Sequence, residues 1–230
     1  MNSPDDAPVV VLLGGGIEST RLVRDFLNAG RSVVPLHVSC GLIWDACETE
    51  HVRRFLAAQE SPRLRPLIEV EISLAGFLGN HWAVTGKHVP RADSTSAELE
   101  IPLRNLLLLG LAVHRLRHLP QYDLALGTTA DNSYCDGNRE YFDRCEAVLS
   151  LEAGHPLRIL TPLIGLHKTD VIRGSDEATL AMSFPCVEPR DGRHCGVCIK
   201  CGRRKAAFRE AGVADPTLYA SSCGQQHDPK

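Results

Sequence analysis

The sequence predicts an α/β fold built on a parallel sheet, followed by a small C-terminal metal-binding subdomain. Three observations carry this. A short apolar run ends in three consecutive glycines and passes directly into a helical pattern. Strand-like and helix-like segments then alternate, which implies parallel strands joined by right-handed crossovers. Near the C-terminal end, three cysteines fall at C-x-x-C-x-x-C spacing.

Residues 9–13 are a continuous apolar run, suited to a buried strand and far too short to cross a bilayer. After the glycines, Leu22, Val23, Phe26 and Leu27 mark one face of a helix that ends near Gly30. Residues 33–38 read as a second strand and residues 46–59 as a helix with Val52, Phe55 and Leu56 inward. Residues 67–72 alternate apolar and acidic side chains, as a half-exposed strand does. Residues 76–100 are rich in turn formers and read as an excursion over the sheet edge. Residues 103–119 are helical and apolar around the girth, which predicts a central, well-covered helix. A buried strand at 122–126, a helix at 139–153, a short strand at 159–164 interrupted by Pro162, and a helix opening at Lys168 follow. The cysteine cluster then runs into a basic helix near Ala206. This divides the chain into a nucleotide-binding α/β domain (1–180), a metal-binding and helical subdomain (181–215) and a loose tail (216–230).

Composition bounds the function. The 230 residues suit one domain with a full core, and 43% are hydrophobic. A net charge of -3 leaves no basic excess for nucleic acid and no polybasic run for a membrane. Arg203, Arg204 and Lys205 form a short basic cluster that suits a local phosphate contact. The polar, acidic start lacks the features of a secretory signal, so a cytoplasmic location is expected. The nine cysteines are odd in number and unaccompanied by an export signal, which argues against a disulfide framework and for metal.

Ligands of parallel sheets sit beyond the carboxyl ends of the strands. Gly14, Gly15 and Gly16 occupy that place after the first strand. Glycines let the backbone approach an anion, and free N–H groups at the helix start point at it. Ser19 and Thr20 add hydroxyls. The dinucleotide fingerprint fails because Ser19 stands at its third glycine, and no Gly-Lys-Ser/Thr follows to make a Walker loop. Instead, residues 14–19 (Gly-Gly-Gly-Ile-Glu-Ser) resemble the S-G-G-x-D-S loop of the PP-loop ATP pyrophosphatases. Gly14 stands at the serine and Glu18 at the aspartate.

Cys195, Cys198 and Cys201, with Cys186 upstream, supply four thiolates, the donor set of a closed structural zinc site. An iron–sulfur cluster is the chemical rival, and His194 is a rival ligand to Cys186. Cys40, Cys47, Cys135, Cys145 and Cys223 have no metal spacing and read mostly as small buried residues.

Glycine loop and cysteine knot together resemble the 7-cyano-7-deazaguanine synthase family, nitrile-forming members of the PP-loop class. Residues 102–106 (Pro-Leu-Arg-Asn-Leu) are similar to the family's P-G-R-N-L segment, with Leu103 at its glycine. Leu126-Gly127 with Asp131 is similar to its T-G…D stretch, and Thr161-Pro162-Leu163 with Lys168 to its T-P-L…K segment. Cys186 through Phe208 resembles its zinc end. Residues 40–45 depart from the family's Tyr/Gln/Arg/His-rich segment.

The resemblance implies a PP-loop fold and an ATP-dependent carbon–nitrogen ligase using ATP, Mg²⁺, ammonia and a deazapurine carboxylate, with a structural Zn²⁺. The substrate carboxylate is adenylated and pyrophosphate leaves. Ammonia displaces AMP to give an amide, and a second adenylation with loss of AMP gives the nitrile. Lys168, Glu18 and Ser19 become the catalytic candidates. Leu13, Gly14, Gly15, Gly16, Ile17, Glu18, Ser19, Thr20, His37 and Gly127 become nucleotide-binding candidates. Arg104, Asn105 and Asp131 would orient the substrate, and relatives imply a homodimer. Plainer readings stand beside these: Arg104 and Lys168 as helix-start charges, Asn105 as a backbone partner, Asp131 as a loop acid, Glu18 as a complement to the helix dipole, and His37 as a satisfied strand-end histidine. Two other functions remain open. Residues 40–45 favour a PP-loop enzyme adenylating a different carboxylate or amide. Gly14 and Glu18 favour a non-catalytic nucleotide- or partner-binding protein.

Overall fold

The computed structural model describes residues 7–220. Its sheet comprises β1 (Val9–Leu12), β2 (Val33–Ser39), β3 (Ile68–Glu71), β4 (Asp123–Ala125) and β5 (Ile159–Leu160), all parallel, in the order β3-β2-β1-β4-β5. Strand alternation splits β1 between two cores. Val10 and Leu12 face α6 (Arg104–Leu116) and α7 (Arg139–Ala153), where Leu109, Val113 and Phe142 are fully or nearly buried. Val9 and Val11 face the opposite layer. That layer contains α1 (Ile17–Asn28), α2 (Asp45–Ala57), α8 (Lys168–Arg173), α9 (Glu177–Met182) and α10 (Ile199–Ala211). Both faces are covered, so β1 reads as an unbroken apolar run.

The chain order reverses at β1. It runs outward through β2 to β3, then returns to β4 on the other side of β1. The loops after β1 and β4 therefore separate at their carboxyl ends and leave a crevice.

Several expectations are corrected. β5 stops at Leu160 because the following Thr161-Pro162 brings in a residue with no N–H to donate to a ladder. Helix α6 is amphipathic rather than covered all round. Leu109, Ala112, Val113 and Leu116 are buried, while Leu106 is 41% exposed and Leu107, Leu108 and Leu111 lie between. It lies across one face of the sheet beside α7 and the 3-10 turn at Cys135–Gly137, with no second layer above it among the described residues, so its outer leucines are left partly to solvent. The 76–100 stretch, with the residue before it, forms three single-turn helices, α3 (Ala75–Leu78), α4 (Trp82–Thr85) and α5 (Ser96–Leu99), and docks on the cysteine segment, where the Ile199 amide donates to Pro90 O.

The tail is not loose as far as Ala220. The Tyr219 hydroxyl donates to Asp215, and the Ala220 amide to His194 O. Residues 221–230, including Cys223, and residues 1–6 lie outside the described part. Of the other non-knot cysteines, Cys40 and Cys145 are buried, Cys47 is intermediate and Cys135 is exposed.

Candidate active site

The carboxyl ends of β1, β2 and β4 open on a cavity of about 420 Å³. Its floor is the glycine loop. Gly15 takes φ +69°, the left-handed region that glycine enters without strain. Gly16 caps α1 with extended backbone and no side-chain hydrogen bond. The first-turn N–H groups of a twelve-residue helix are thus left for an anion.

Gly14, Gly16, Glu18 and Ser19 line the cavity, whereas Gly15, Ile17 and Thr20 do not. Thr20 corrects an expectation. It is fully buried, and its hydroxyl donates back to Gly16 O and Ile17 O, so it is spent inside the helix. Leu13 is buried and its carbonyl meets His37 Nδ1 at 2.8 Å. His37 Nε2 contacts the Thr49 hydroxyl at 2.9 Å. With both nitrogens engaged and burial holding its pKa down, His37 is a neutral brace between β1, β2 and α2.

Lys168, the first residue of α8, reaches across to the loop and places Nζ 2.6 Å from Glu18 Oε1. Burial pushes the Glu18 carboxyl up, but the Lys168 ammonium outweighs it and holds the group below its ordinary value. Asp131 positions the lysine. Its carboxylate accepts the Lys168 backbone N–H at 2.6 Å and contacts His167 Nδ1 at 2.7 Å, capping α8. Gly127 is a packing glycine, since a Cβ there would lie 2.7 Å from Glu18 Cβ and 2.9 Å from Ser19 N. Asn105 donates its side-chain amide to Asp136 O, tying α6 to a 3-10 turn at Cys135–Gly137. Arg104 is different. It lines the cavity, and its buried Nε has no hydrogen-bond partner.

Among the lining residues, Trp44 belongs to the 40–45 segment already set apart in the sequence, while Trp82, Glu48 and Lys200 were not singled out there. Trp44 and Trp82 stack with ring centroids 5.6 Å apart. Trp44 is set by a tight turn in which Asp45 Oδ2 accepts the Cys40 and Leu42 N–H groups. Glu48 on α2 is 8% exposed, and burial pushes its carboxyl up to about 8. Lys200 enters from the cysteine segment, brought down to about 8 by burial and by Lys168. A charged residue between two cysteines of the knot was the one available signal for Lys200. Nothing local marks which face of α2 meets the loop.

The cysteine segment walls the cavity through Pro185, Val187, Lys200 and Arg203. Cys186, Cys195, Cys198 and Cys201 are all buried, with their four Sγ atoms within 4.8 Å of one another. This group can hold a metal. His194 does not join it. It packs edge-on and tilted against Phe184, His51 and Tyr219 instead. Gly196 takes φ +79° in the knot's turn. Gly202 is helical, and its missing Cβ admits Ala92.

The profile of the family described as "Queuosine biosynthesis protein QueC" matches residues 8–212. The chain belongs to the QueC family. It is 29% identical to a 7-cyano-7-deazaguanine synthase of Methanothrix thermoacetophila, over 91% of this chain and 97% of the relative. Proteins of the same name from Anaeromyxobacter sp. (strain Fw109-5) and Stutzerimonas stutzeri are 32% and 28% identical, covering 91% and 94% of this chain and 95% and 99% of theirs. The QueC match takes in the glycine loop, Arg104, Lys168 and all four knot cysteines. No helix among the described residues is long and apolar enough to cross a membrane.

Proposed function

We propose that this QueC-family chain is an ATP-dependent carbon–nitrogen ligase that converts 7-carboxy-7-deazaguanine and ammonia to the 7-cyano compound. The observation that carries the reading is Lys168, held by Glu18 over the glycine loop at the mouth of the α1 N-terminus. Loop N–H groups and Lys168 would take the negative charge of the leaving pyrophosphate, the main service an enzyme renders in such a transfer. Glu18 Oε2 and the Ser19 hydroxyl are hard oxygen donors suited to Mg²⁺ on the phosphates.

The unpartnered Arg104 suits the substrate carboxylate, and the Trp44–Trp82 stack suits a planar heterocycle. The carboxylate oxygen attacks the α-phosphorus and pyrophosphate leaves. Ammonia adds, a proton is lost, and AMP leaves an amide. The amide oxygen attacks the α-phosphorus of a second ATP and pyrophosphate leaves; departure of AMP with the two N–H protons then gives the nitrile.

The knot fits zinc. Tetrahedral Zn–S bonds of about 2.3 Å set neighbouring sulfurs roughly 3.8 Å apart. The Cys186–Cys198 and Cys195–Cys201 sulfurs are each 3.9 Å apart. An iron–sulfur cube would hold the thiols further apart. All four positions are filled by protein, so the ion supports the fold and leaves no position for substrate. We place the protein in the cytoplasm. Leu103, Leu106, Val148 and Leu151, exposed on the α6–α7 side, suit a homodimer contact.

A second reading keeps the adenylation and changes the carboxylate or amide. The turn at residues 40–45, which sets Trp44 in the cavity wall, favours it. AMP release by the metal-loaded protein with ATP, Mg²⁺, ammonium and 7-carboxy-7-deazaguanine tests both. Substrate-dependent AMP with nitrile product is expected, and Lys168→Ala should lower the rate about 100-fold or more. ATP binding without AMP from this substrate would shift the reading to another acceptor.

A further inference from the structure

An acid beside an anion cradle calls for an explanation. The Glu48 side chain lies along the glycine loop, and a Cβ added at Gly14 would be 3.6 Å from its Oε1. A Cβ at Gly15 would be 3.6 Å from its Cγ. Glu48 is more than nine-tenths buried and lines the cavity. Its carboxyl makes no hydrogen bond or ion pair among the described residues. The carboxyl oxygens are therefore open to the cavity, where a ligand can complete their hydrogen bonding. An ionised carboxylate at this place would repel a phosphate.

We propose that Glu48 is a phosphate-binding residue of the ATP site, presenting a protonated carboxyl O–H to the phosphate chain from the space that the absent Gly14 side chain leaves open. The proposal rests on the reading of the loop as an ATP site. Gly14 stands where the PP-loop motif has a serine, so α2 would supply from the side the hydroxyl donor that the loop itself lacks.

The surroundings favour the protonated form. Burial dominates and pushes the carboxyl up to about 8, against the opposing pull of Arg104 on α6 and Lys200 on α10. Asp45 on the same helix pushes it further up. The Cys40 and Cys47 thiols nearby are themselves pushed up by burial and remain neutral. Glu18 and Lys168 face the same cavity but neutralise each other.

The test is ATP binding by the full, metal-loaded chain with Mg²⁺ from pH 7 to pH 9.5 at constant ionic strength. The wild type is compared with Glu48→Gln, Glu48→Ala and the pair Glu48→Ala with Gly14→Ser. Lys200 titrates in the same range, so wild type and Glu48→Gln are compared at each pH rather than along one curve. Relative to Glu48→Gln, wild-type affinity should fall above about pH 8, approaching about tenfold per pH unit.

At pH 7 Glu48→Ala should bind ATP about tenfold more weakly than wild type. By pH 9.5 it should bind as tightly or more tightly, because the repelling charge is gone. Gly14→Ser should restore the pH 7 affinity of Glu48→Ala, since Gly14 has no positive φ and the alanine leaves room for a hydroxyl. Superimposed wild-type and Glu48→Gln curves, or no loss in Glu48→Ala at pH 7, would overturn the proposal while leaving the ATP site standing. Failure of the folded wild type to bind ATP at any pH would overturn the ATP-site reading and this inference with it.

Discussion

A methyl group at Gly127 would sit within 3 Å of Glu18 Cβ, Glu18 C and Ser19 N, all at the rigid start of α1. None of these is the end of a flexible side chain, so the loop itself must shift. Gly127→Ala should therefore cost about 1–3 kcal/mol of stability. It should also displace Glu18 from Lys168, with a loss of turnover beyond the loss of folded protein. Thermal melts paired with AMP assays separate the two.

Glu48 gives a second residue-scale test. Its folded pKa of about 8 lies above the ordinary 4.5, so the folded state keeps a proton that the unfolded state releases. Stability from this group is present below about pH 4.5 and is lost as pH rises through about 8. Glutamine has no proton to lose. The melting temperature of ATP-free Glu48→Gln, equal to wild type near pH 5, should rise above it progressively to pH 8 and then stay level. A constant offset would show that Glu48 does not titrate in that window.

Elements differ in how far the chain announces them. α7 was legible to the residue, because Asn138 caps its start with a bond from the Tyr141 amide and Gly154 ends it in the left-handed region. β3 was legible because its outer face is charged and its inner face apolar. The covering of α6 was misread, since leucines on a helix do not say whether a second layer lies above them. The place of the glycine loop at the cavity floor was legible because a strand, glycines and a helix start are adjacent in the chain. Glu48 was not, since its meeting with Gly14 is made only by the packing of α2 on the sheet.

The start of α6 carries its own prediction. Leu103 holds φ +60° and is 60% exposed, so its side chain contributes little and its backbone is strained. Leu103→Gly should relieve about 1 kcal/mol of strain, offset in part by chain entropy, and leave the protein no less stable. Leu103→Ala should not gain. If glycine instead destabilises by more than about 1 kcal/mol, the exposed leucine is held by contacts such as a second copy of the chain, and a concentration-dependent melt would reveal them.

At the scale of the molecule, the cysteine knot and the nucleotide cavity are one construction. The Phe184 amide donates to Gly15 O at 2.6 Å, the Ile199 amide donates to Pro90 O, and Arg204, buried beneath α10, donates to Ser183 Oγ and Leu180 O. Pro185, Val187, Lys200 and Arg203 are carried to the cavity wall by the same few turns of chain that gather the four thiols. Binding a metal to such a site is coupled to folding it. Removing the ion leaves the four buried thiols with only weak contacts to one another, and the segment then rests on the hydrogen bonds just named. Chelation, or Cys186→Ser, should therefore abolish ATP binding in step with metal content while the sheet and the helices packed on it keep most of the helical and sheet signal. Restoring the ion should restore binding to chelated wild type and not to Cys186→Ser. Metal-free protein that still bound ATP with wild-type affinity would show that the wall stands without the knot, and would leave Lys200 and Arg203 no part in holding the nucleotide.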